Sequence, residues 1–370
     1  MLGEPLYWWV LTFIFSLFVL AGLYSQGIDS LLSGRNDFAP VYAATTTVGT
    51  GDMYNADTIH GVIYEQLGGG NESFLYTRMP FHAAVLWPLS SLPYRSAYAV
   101  YLALQIAAVI AFMFLWRVPA RTFAVIFTLL SLPVIFSLLT GQDTVFLLVW
   151  IALAVRAERR GDSFWAGVFL ALCAHKFHLF MFVPLLVIGQ RRWRMLAGGV
   201  SGGAVLMAIS FLAAGMSWPL GYYHTLTNPV INPAPHLMVN LHGLFYGVAG
   251  GKLIQLALGL LIAGVCWLAV KRTSFLEGLA VVIIGGLLTS YHTYTGDCVL
   301  LVPACSIIAS SMVDRWTVPL IALALLPVIF IILIGTASGY AVQAVIILLF
   351  CTVTAHALRR VPETAAEAAS

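Results

Sequence analysis

The chain has 370 residues, of which 61% are hydrophobic and only 9% are charged, and its mean hydropathy is +0.93. This composition excludes a soluble globular protein, which needs far more polar surface, and predicts a membrane protein. The net charge is only +3, and no basic tract with interleaved aromatic residues is present, so nucleic acid is not an expected partner.

Hydropathy predicts about twelve transmembrane helices, within a range of 10 to 13, because the apolar runs are mostly long enough to cross a hydrocarbon layer ~30 Å thick. The fold class is therefore an all-α polytopic membrane protein, with one domain over residues 1–360 and a disordered cytoplasmic tail over 361–370. In chain order, the predicted spans lie near residues 6–25, 94–116, 121–139, 143–157, 163–174, 177–189, 194–214, 253–270, 275–290, 297–312, 317–334 and 339–357.

The run from Ser163 to Gly189 suits one long tilted helix or two shorter ones. Polar residues at its centre, between Cys173 and His178, favour a break there. The distribution of basic residues supports the same break. With cytoplasmic termini and the break included, thirteen of the eighteen Lys and Arg residues fall on cytoplasmic turns, as the positive-inside rule requires. The basic residues left on the outer side are Arg35, Arg78, Arg95, Lys176 and Lys252.

Two outer segments, 26–93 and 215–252, are longer than simple connections, and loops of this length usually bind or catalyse. The first contains apolar positions from Phe38 to Val48 that suit a short amphipathic helix at the membrane interface. Its Met79–Leu89 stretch suits a short interfacial or re-entrant helix bounded by prolines. The second contains Asn240 and His242 after a proline-rich stretch that leaves polar groups available for a ligand.

Asp37 directly follows the first predicted span, where a carboxylate near the membrane surface is a candidate base. Alternatively, its side chain caps the helix that follows, and the two roles are compatible. Lys176 lies deep in an apolar run, where a cation is costly unless it meets an anion or water. We expect it to bind a phosphate or carboxylate, the alternative being that it extends to the outer interface.

The same argument applies to Arg78 with His82, and to His292 with Asp297. Together these residues predict an outer-face site for a lipid-linked phosphate near one acid, although any single histidine is more often a packing group. A metal site is not favoured, since the histidines lack ligand spacing and no carboxylate cluster accompanies them.

Several stretches resemble glycosyltransferase family 87, whose members are membrane enzymes of the GT-C class and include polyprenol-phosphate-mannose-dependent mannosyltransferases. The resemblance covers roughly residues 30–305, and one departure is that Arg78-Met79-Pro80-Phe81 stands where members often carry a Pro-Pro pair. The similar stretches are Arg35–Phe38 with Tyr42–Ala44, Pro88–Tyr94, Thr140–Asp143, the Lys176 segment with Arg191–Arg194, and Ser290–Pro303.

The resemblance implies a GT-C-type bundle in the inner membrane that transfers a hexose, expected to be mannose, from a polyprenyl-phosphate donor. The acceptor is a hydroxyl of a glycolipid or glycan on the outer face, transfer inverts the anomeric carbon, and Asp37 takes the position of the catalytic base. No metal or other cofactor is implied. Donor-phosphate contacts are expected from Lys176, Arg78, His292 and His178, and other substrate contacts from Tyr42, His82, Gln142, Asn240, His242 and Asp297.

A transporter or flippase of a lipid-linked or small anionic substrate is the alternative, because intramembrane Lys, His and Asp residues also mark substrate pathways. Against it, the sequence shows no internal repeat, and the polar groups gather at one face rather than at the membrane midplane.

Overall fold

The computed structural model describes residues 17, 21, 31–69, 73–118 and 121–359. In that part of the chain the secondary structure is helical, without β-strands. The 361–370 tail and nearly all of the predicted 6–25 span lie outside it. The α-helices are α1 Phe38–Thr46, α2 Ala56–Leu67, α3 Pro80–Leu86, α4 Tyr94–Leu115, α5 Arg121–Leu130, α6 Leu132–Leu139, α7 Thr144–Arg159, α8 Ser163–Leu172, α9 Val183–Gly189, α10 Trp193–Ala214, α11 Trp218–Thr227, α12 Leu241–Leu244, α13 Gly251–Val270, α14 Phe275–Thr289, α15 Leu301–Ser311, α16 Thr317–Leu325, α17 Val328–Thr336 and α18 Tyr340–Arg359. The 3₁₀ helices are Trp87–Ser91, Cys173–Phe180, Pro229–Ile231, Pro235–Leu237 and Thr295–Leu300.

Five of the described helices are long and apolar enough to cross a membrane, so the protein is a helical membrane protein. The number rises to seven if α5 with α6, bent by 49°, and α16 with α17, bent by 55°, each count as one span. The predicted twelve spans are not confirmed, because several predicted runs form helices that are too short by this measure. Of the five long apolar helices, four are single α-helices: α4, α10, α13 and α18. The fifth, Ser163–Phe180, consists of α8 and the 3₁₀ helix that follows it.

The predicted break inside 163–189 is confirmed. After α8 the chain continues as a 3₁₀ helix, and Lys176 in its middle has a non-helical backbone, with φ −126° and ψ 52°. Proline at the second position of α9, Pro184, then starts the next helix, where its missing N–H costs nothing. The break therefore places Lys176 where the regular helical hydrogen bonds are interrupted.

The main core surrounds α14, which is buried along nearly its whole length. A capping box between Ser274 and Glu277 starts this helix by satisfying its first free N–H groups. A second, smaller core belongs to the first outer loop, where Phe38 of α1 stacks on Tyr101 of α4 with ring centroids 4.5 Å apart.

The prediction that Phe38–Val48 forms an amphipathic interfacial helix is wrong. The helix is present as α1, but its residues from Phe38 to Thr45 are all buried, so it has no polar face toward water. Tyrosines of α4 and isoleucines of α2 share its apolar cluster. The short helix predicted within Met79–Leu89 is confirmed as α3, in which Pro80 occupies the first position.

Polar contacts at the two ends of the helix bundle differ in kind. At one end the basic turns meet, where Arg159 donates to the carbonyl of Arg117, Arg192 pairs with Glu158, and Arg272 donates to the carbonyl of Leu358 over 2.6 Å. At the other end the first outer loop meets the start of α7 and the loop after α14. That second end holds most of the predicted site residues.

Candidate active site

Asp37 lies at the N-terminus of α1, held by contacts between its neighbours and the α6–α7 turn. Its backbone N–H donates to the carbonyl of Thr140 over 3.0 Å, and Gly141, at φ +68°, leaves room for Asn36 against the turn. The Asp37 side chain makes no capping hydrogen bond, so the predicted capping role is wrong. Asn36 takes that role instead, since its Oδ1 accepts from the N–H of Phe38 over 3.1 Å. The Asp37 carboxyl group is left free for the site.

Asp37 faces a cavity of about 190 Å³ that gathers six of the predicted site residues. Gln142 lines the cavity together with Asp37, and the absence of a side chain at Gly296 makes space for Gln142. Residues from the first loop, the α6–α7 turn, the broken helix and the loop after α14 converge here. The predicted residues lining the cavity are Asp37, Arg78, Gln142, Lys176, His292 and Asp297.

Three buried charged side chains and the largely buried Arg78 form a network behind Asp37. Arg78 donates two hydrogen bonds to Asp143, 2.8 Å from Nε and 3.2 Å from Nη2. The Nζ atom of Lys176 lies 3.5 Å from Oδ1 of Asp143 and 2.7 Å from Oδ1 of Asp297. Such a network keeps cations charged inside a protein, because each loses water but gains a carboxylate. The two cations and two carboxylates cancel, and an ionised Asp37 adds a negative charge beside them.

The pKa of Asp37 is raised above its ordinary value of 3.8 because burial disfavours the carboxylate, while the charges of Arg78 and Lys176 oppose that rise. Burial alone lowers the pKa of Arg78, but the charge and hydrogen bonds of Asp143 raise it, so the guanidinium stays protonated. When ionising a carboxyl group is costly, its carboxylate form takes up a proton readily. A carboxylate of this kind that faces an open cavity is a good proton acceptor.

Two histidines of the site, His292 and His178, are hydrogen-bonded within the fold. Burial lowers the pKa of His292 to about 4, and its Nδ1 lies 2.6 Å from the amide oxygen of Asn232. His178 bonds the hydroxyl of Ser290 over 2.7 Å and lines a small adjoining cavity of about 20 Å³. The loop after α14 thus holds both rings beside Lys176.

Four predicted substrate or donor contacts, besides His178, do not line the Asp37 cavity. Tyr42 is buried and donates to the carbonyl of Leu92, whereas Asn240 is buried, donates to the carbonyl of Ser290 and caps α12. His242 contacts Gln255 over 3.2 Å. His82 stacks on His175 and lies on a separate apolar groove. Their contact with substrate stays a prediction.

Asp143 is the residue that sequence reasoning missed. It stands at the N-terminus of α7, directly after Gly141-Gln142, and its side chain is fully buried between Arg78 and Lys176. A usable signal was present, since this acid begins an apolar run on the same side as the two unexplained cations. Tyr294, which also lines the cavity, was missed as well.

Comparison with models of known protein families matches residues 74–303 to glycosyltransferase family 87. The chain belongs to this family. No curated protein and no solved structure match it. The matched segment contains Arg78, Gln142, Lys176, His292 and Asp297, while Asp37 lies before it.

Membership in family 87 makes the protein a membrane glycosyltransferase with a sugar donor and an acceptor as substrates. Inverting sugar transfer needs a base to take the proton of the acceptor and a group to stabilise the leaving anion. The Asp37 cavity brings a carboxylate and two cations together on its wall.

Proposed function

We propose that this glycosyltransferase moves a hexose, expected to be mannose, from a polyprenyl-phosphate donor to an acceptor hydroxyl. The transfer inverts the anomeric carbon, and Asp37 acts as the general base. The observation that carries the proposal is the position of Asp37. Its carboxyl group is free of the helix cap and shares a cavity with Arg78 and Lys176. The acceptor is a glycolipid or glycan.

In the reaction, Asp37 takes the hydroxyl proton of the acceptor as the oxygen attacks the anomeric carbon. The bond from that carbon to the phosphate oxygen breaks, and the electron pair leaves with the lipid phosphate. The attacking oxygen and the phosphate lie on opposite faces of the sugar, so the configuration inverts. The scheme uses no metal or other cofactor.

Arg78 and Lys176 stabilise the leaving phosphate. Both are already paired with carboxylates, but neither uses all of its donors. Arg78 has five N–H groups, of which one on Nε and one on Nη2 contact Asp143 and one on Nη1 contacts Thr77. Asp143 and Asp297 therefore hold the two cations in fixed positions, and the remaining donors, with His292 and His178, are proposed for the phosphate.

We further propose that the Asp37 end of the bundle faces the outer side of the inner membrane and that both termini are cytoplasmic. The positive-inside rule supports this orientation, because the end that holds Arg117, Arg159 and Arg192 lies opposite the cavity. About twelve spans, including 6–25, are part of the proposal. A polyprenyl donor also suits it, because its chain stays in the bilayer while its sugar reaches the cavity.

Replacement of the proposed base tests the function. Purified protein supplied with radiolabelled polyprenyl-phosphate mannose and a glycolipid acceptor is expected to release lipid phosphate and glycosylate the acceptor. Asp37→Asn should lower turnover by at least about 10²-fold, as loss of a general base does. The configuration of the product, read by NMR, reports inversion.

The matched control is Asp52→Asn, which changes an exposed acid of the same loop and should leave turnover unchanged. Full turnover in folded Asp37→Asn protein would show that another group is the base. Accumulation of a solute in reconstituted vesicles without sugar transfer would instead favour the transporter alternative.

A further inference from the structure

An apolar groove of about 420 Å³ lies beside the proposed active site and is not used by the mechanism above. Small and large apolar residues of α4, α7 and α10 form its walls, and two histidines, His82 and His175, complete it. Its representative wall residues are Leu104, Ala108, Ala111, Phe146, Trp150 and Leu206.

The two histidines form a buried pair without enough hydrogen-bond partners. Their rings stack with centroids 5.6 Å apart and 20° between planes, and they are 8% and 4% exposed. Nδ1 of His82 and Nε2 of His175 are buried without any partner in the described structure. Buried polar atoms are usually paired, so an unpaired nitrogen on each of two stacked rings is available for a hydrogen bond to a ligand.

The groove adjoins the active site through one side chain. His175 lines both the groove and the adjoining cavity of about 20 Å³. That small cavity is also lined by Arg78, Lys176 and His292, which line the Asp37 cavity as well. A lipid whose chain lies in the groove and whose phosphate lies at His175 is therefore next to the cavity that holds the cations of the transfer reaction.

Hydrogen bonding fixes which nitrogens of the pair accept. Nδ1 of His175 lies 3.1 Å from the carbonyl of Leu172, which can only accept, so Nδ1 carries the proton and Nε2 is an acceptor. Nε2 of His82 lies 3.7 Å from a carboxylate oxygen of Asp143, which favours a proton on Nε2 and leaves Nδ1 as an acceptor. The missing partner is thus a hydrogen-bond donor.

We propose that the groove and the His82–His175 pair bind the lipid monophosphate product. This inference rests on the proposed function. The donor is a phosphodiester, which has no P–OH group, whereas the product is a phosphomonoester, which has one when singly protonated. The isoprenoid chain fills the apolar groove, and the P–OH donates to an unpaired histidine nitrogen.

The charges balance. Transfer moves one proton from the acceptor to Asp37, and the donor phosphodiester, of charge −1, becomes a phosphomonoester of charge −2. Asp37 then returns its proton to water, and the phosphomonoester takes up one proton to become the P–OH form of charge −1. Product binding at the histidines therefore follows the chemical step and prepares the lipid for release.

Binding without turnover tests the inference. Citronellyl monophosphate and its methyl phosphodiester share one isoprenoid chain, and their affinities for the full-length protein in detergent are measured by isothermal titration calorimetry. We expect the monoester to bind at least about tenfold more tightly than the diester, as one hydrogen bond to a charged group allows. In His175→Phe, which keeps a ring of similar size, the ratio should fall to about one.

Size-exclusion chromatography identifies folded variants, and His82→Phe supplies a second test of the pair should His175→Phe not fold. Ala111→Trp should weaken both ligands, because it fills the groove. Ala103→Trp is the matched control, since Ala103 is exposed on the same helix but does not line the groove. Equal affinities in the wild type, or an unchanged ratio in both folded histidine variants, would overturn the inference. Selective binding of the monoester without any sugar transfer would instead overturn the proposed function.

Discussion

The carboxyl group of Asp37 lies where ionisation is unfavourable. Burial raises its pKa above 3.8, and the nearby cations oppose only part of that rise. The base form exists above this pKa, so we expect kcat/KM for sugar transfer to fall as the pH decreases through a value above the ordinary aspartate range. A pH–rate profile of the wild type measures this. An acid limb at or below the ordinary range would contradict the assignment of Asp37 as a buried base.

Asp143 is the residue on which the buried network depends. Asp143→Asn removes the bidentate partner of Arg78 and one of the two acids beside Lys176, leaving buried positive charge uncompensated. Breaking a buried ion pair from one side costs about 3–5 kcal/mol, so the variant should unfold at a clearly lower temperature in detergent.

The pair between Glu158 and Arg192 provides the control for Asp143→Asn, because both side chains are partly exposed. Glu158→Gln should cost only about 0–1 kcal/mol. Equal losses in the two variants would show that burial of the Asp143 network contributes nothing to stability.

At the scale of the helices, the sequence predicts position better than environment. Apolar runs and their boundaries locate α4, α10, α13 and α18 closely, because helix length follows from an unbroken run of apolar residues. The burial of α1 was not predictable in this way. It depends on tyrosines of α4, more than forty residues away, that no local pattern places over Phe38.

The same limit explains the site residues. Asp37, Arg78 and Lys176 were predicted because charge near an apolar run is unusual whatever its partners. Tyr42 and Asn240 have polar groups that backbone carbonyls satisfy, and those carbonyls come from distant segments. Sequence alone cannot distinguish a polar group paired within the fold from one left for a ligand.

Close packing of α8 against α10 depends on glycine. A Cβ atom at Gly198 would collide with the backbone carbonyl of Phe164, and backbone cannot move aside as a flexible side chain can. Gly198→Ala should therefore destabilise the protein by about 1–3 kcal/mol, the cost typical of overpacking. Thermal unfolding in detergent measures the change.

Gly203, on the same helix, gives the opposite expectation. No atom lies within 4 Å of a Cβ placed there. Gly203→Ala should stabilise α10 by about 0.5–1 kcal/mol through lower backbone entropy in the unfolded chain. Destabilisation of the same size in both variants would mean that helix contact is not the cause.

At the scale of the whole molecule, charge is divided between two ends of one bundle. Basic turns pair with carbonyls and with Glu158 at one end, whereas the other end combines cations with buried acids around a cavity. The first arrangement is the one that the positive-inside rule expects at the cytoplasmic face, and the second is where we propose that sugar transfer takes place. Both follow from helices such as α7, which begins beside Asp143 and ends at Arg159.

This division predicts which residues can be reached from outside the cell membrane. Asp162 and Ser217 are both exposed N-cap residues whose side chains make no capping hydrogen bond, so cysteine is tolerated at either position. Asp162 follows the basic end of α7, and Ser217 follows α10 near the first outer loop, where the carbonyl of Ala213 accepts from Gly49. In spheroplasts, a membrane-impermeant maleimide should label Ser217→Cys at once and Asp162→Cys only after lysis, with unmodified protein reporting the background from the exposed Cys351. The reverse pattern would place the Asp37 cavity on the cytoplasmic side, where a donor carried on the outer leaflet does not reach it.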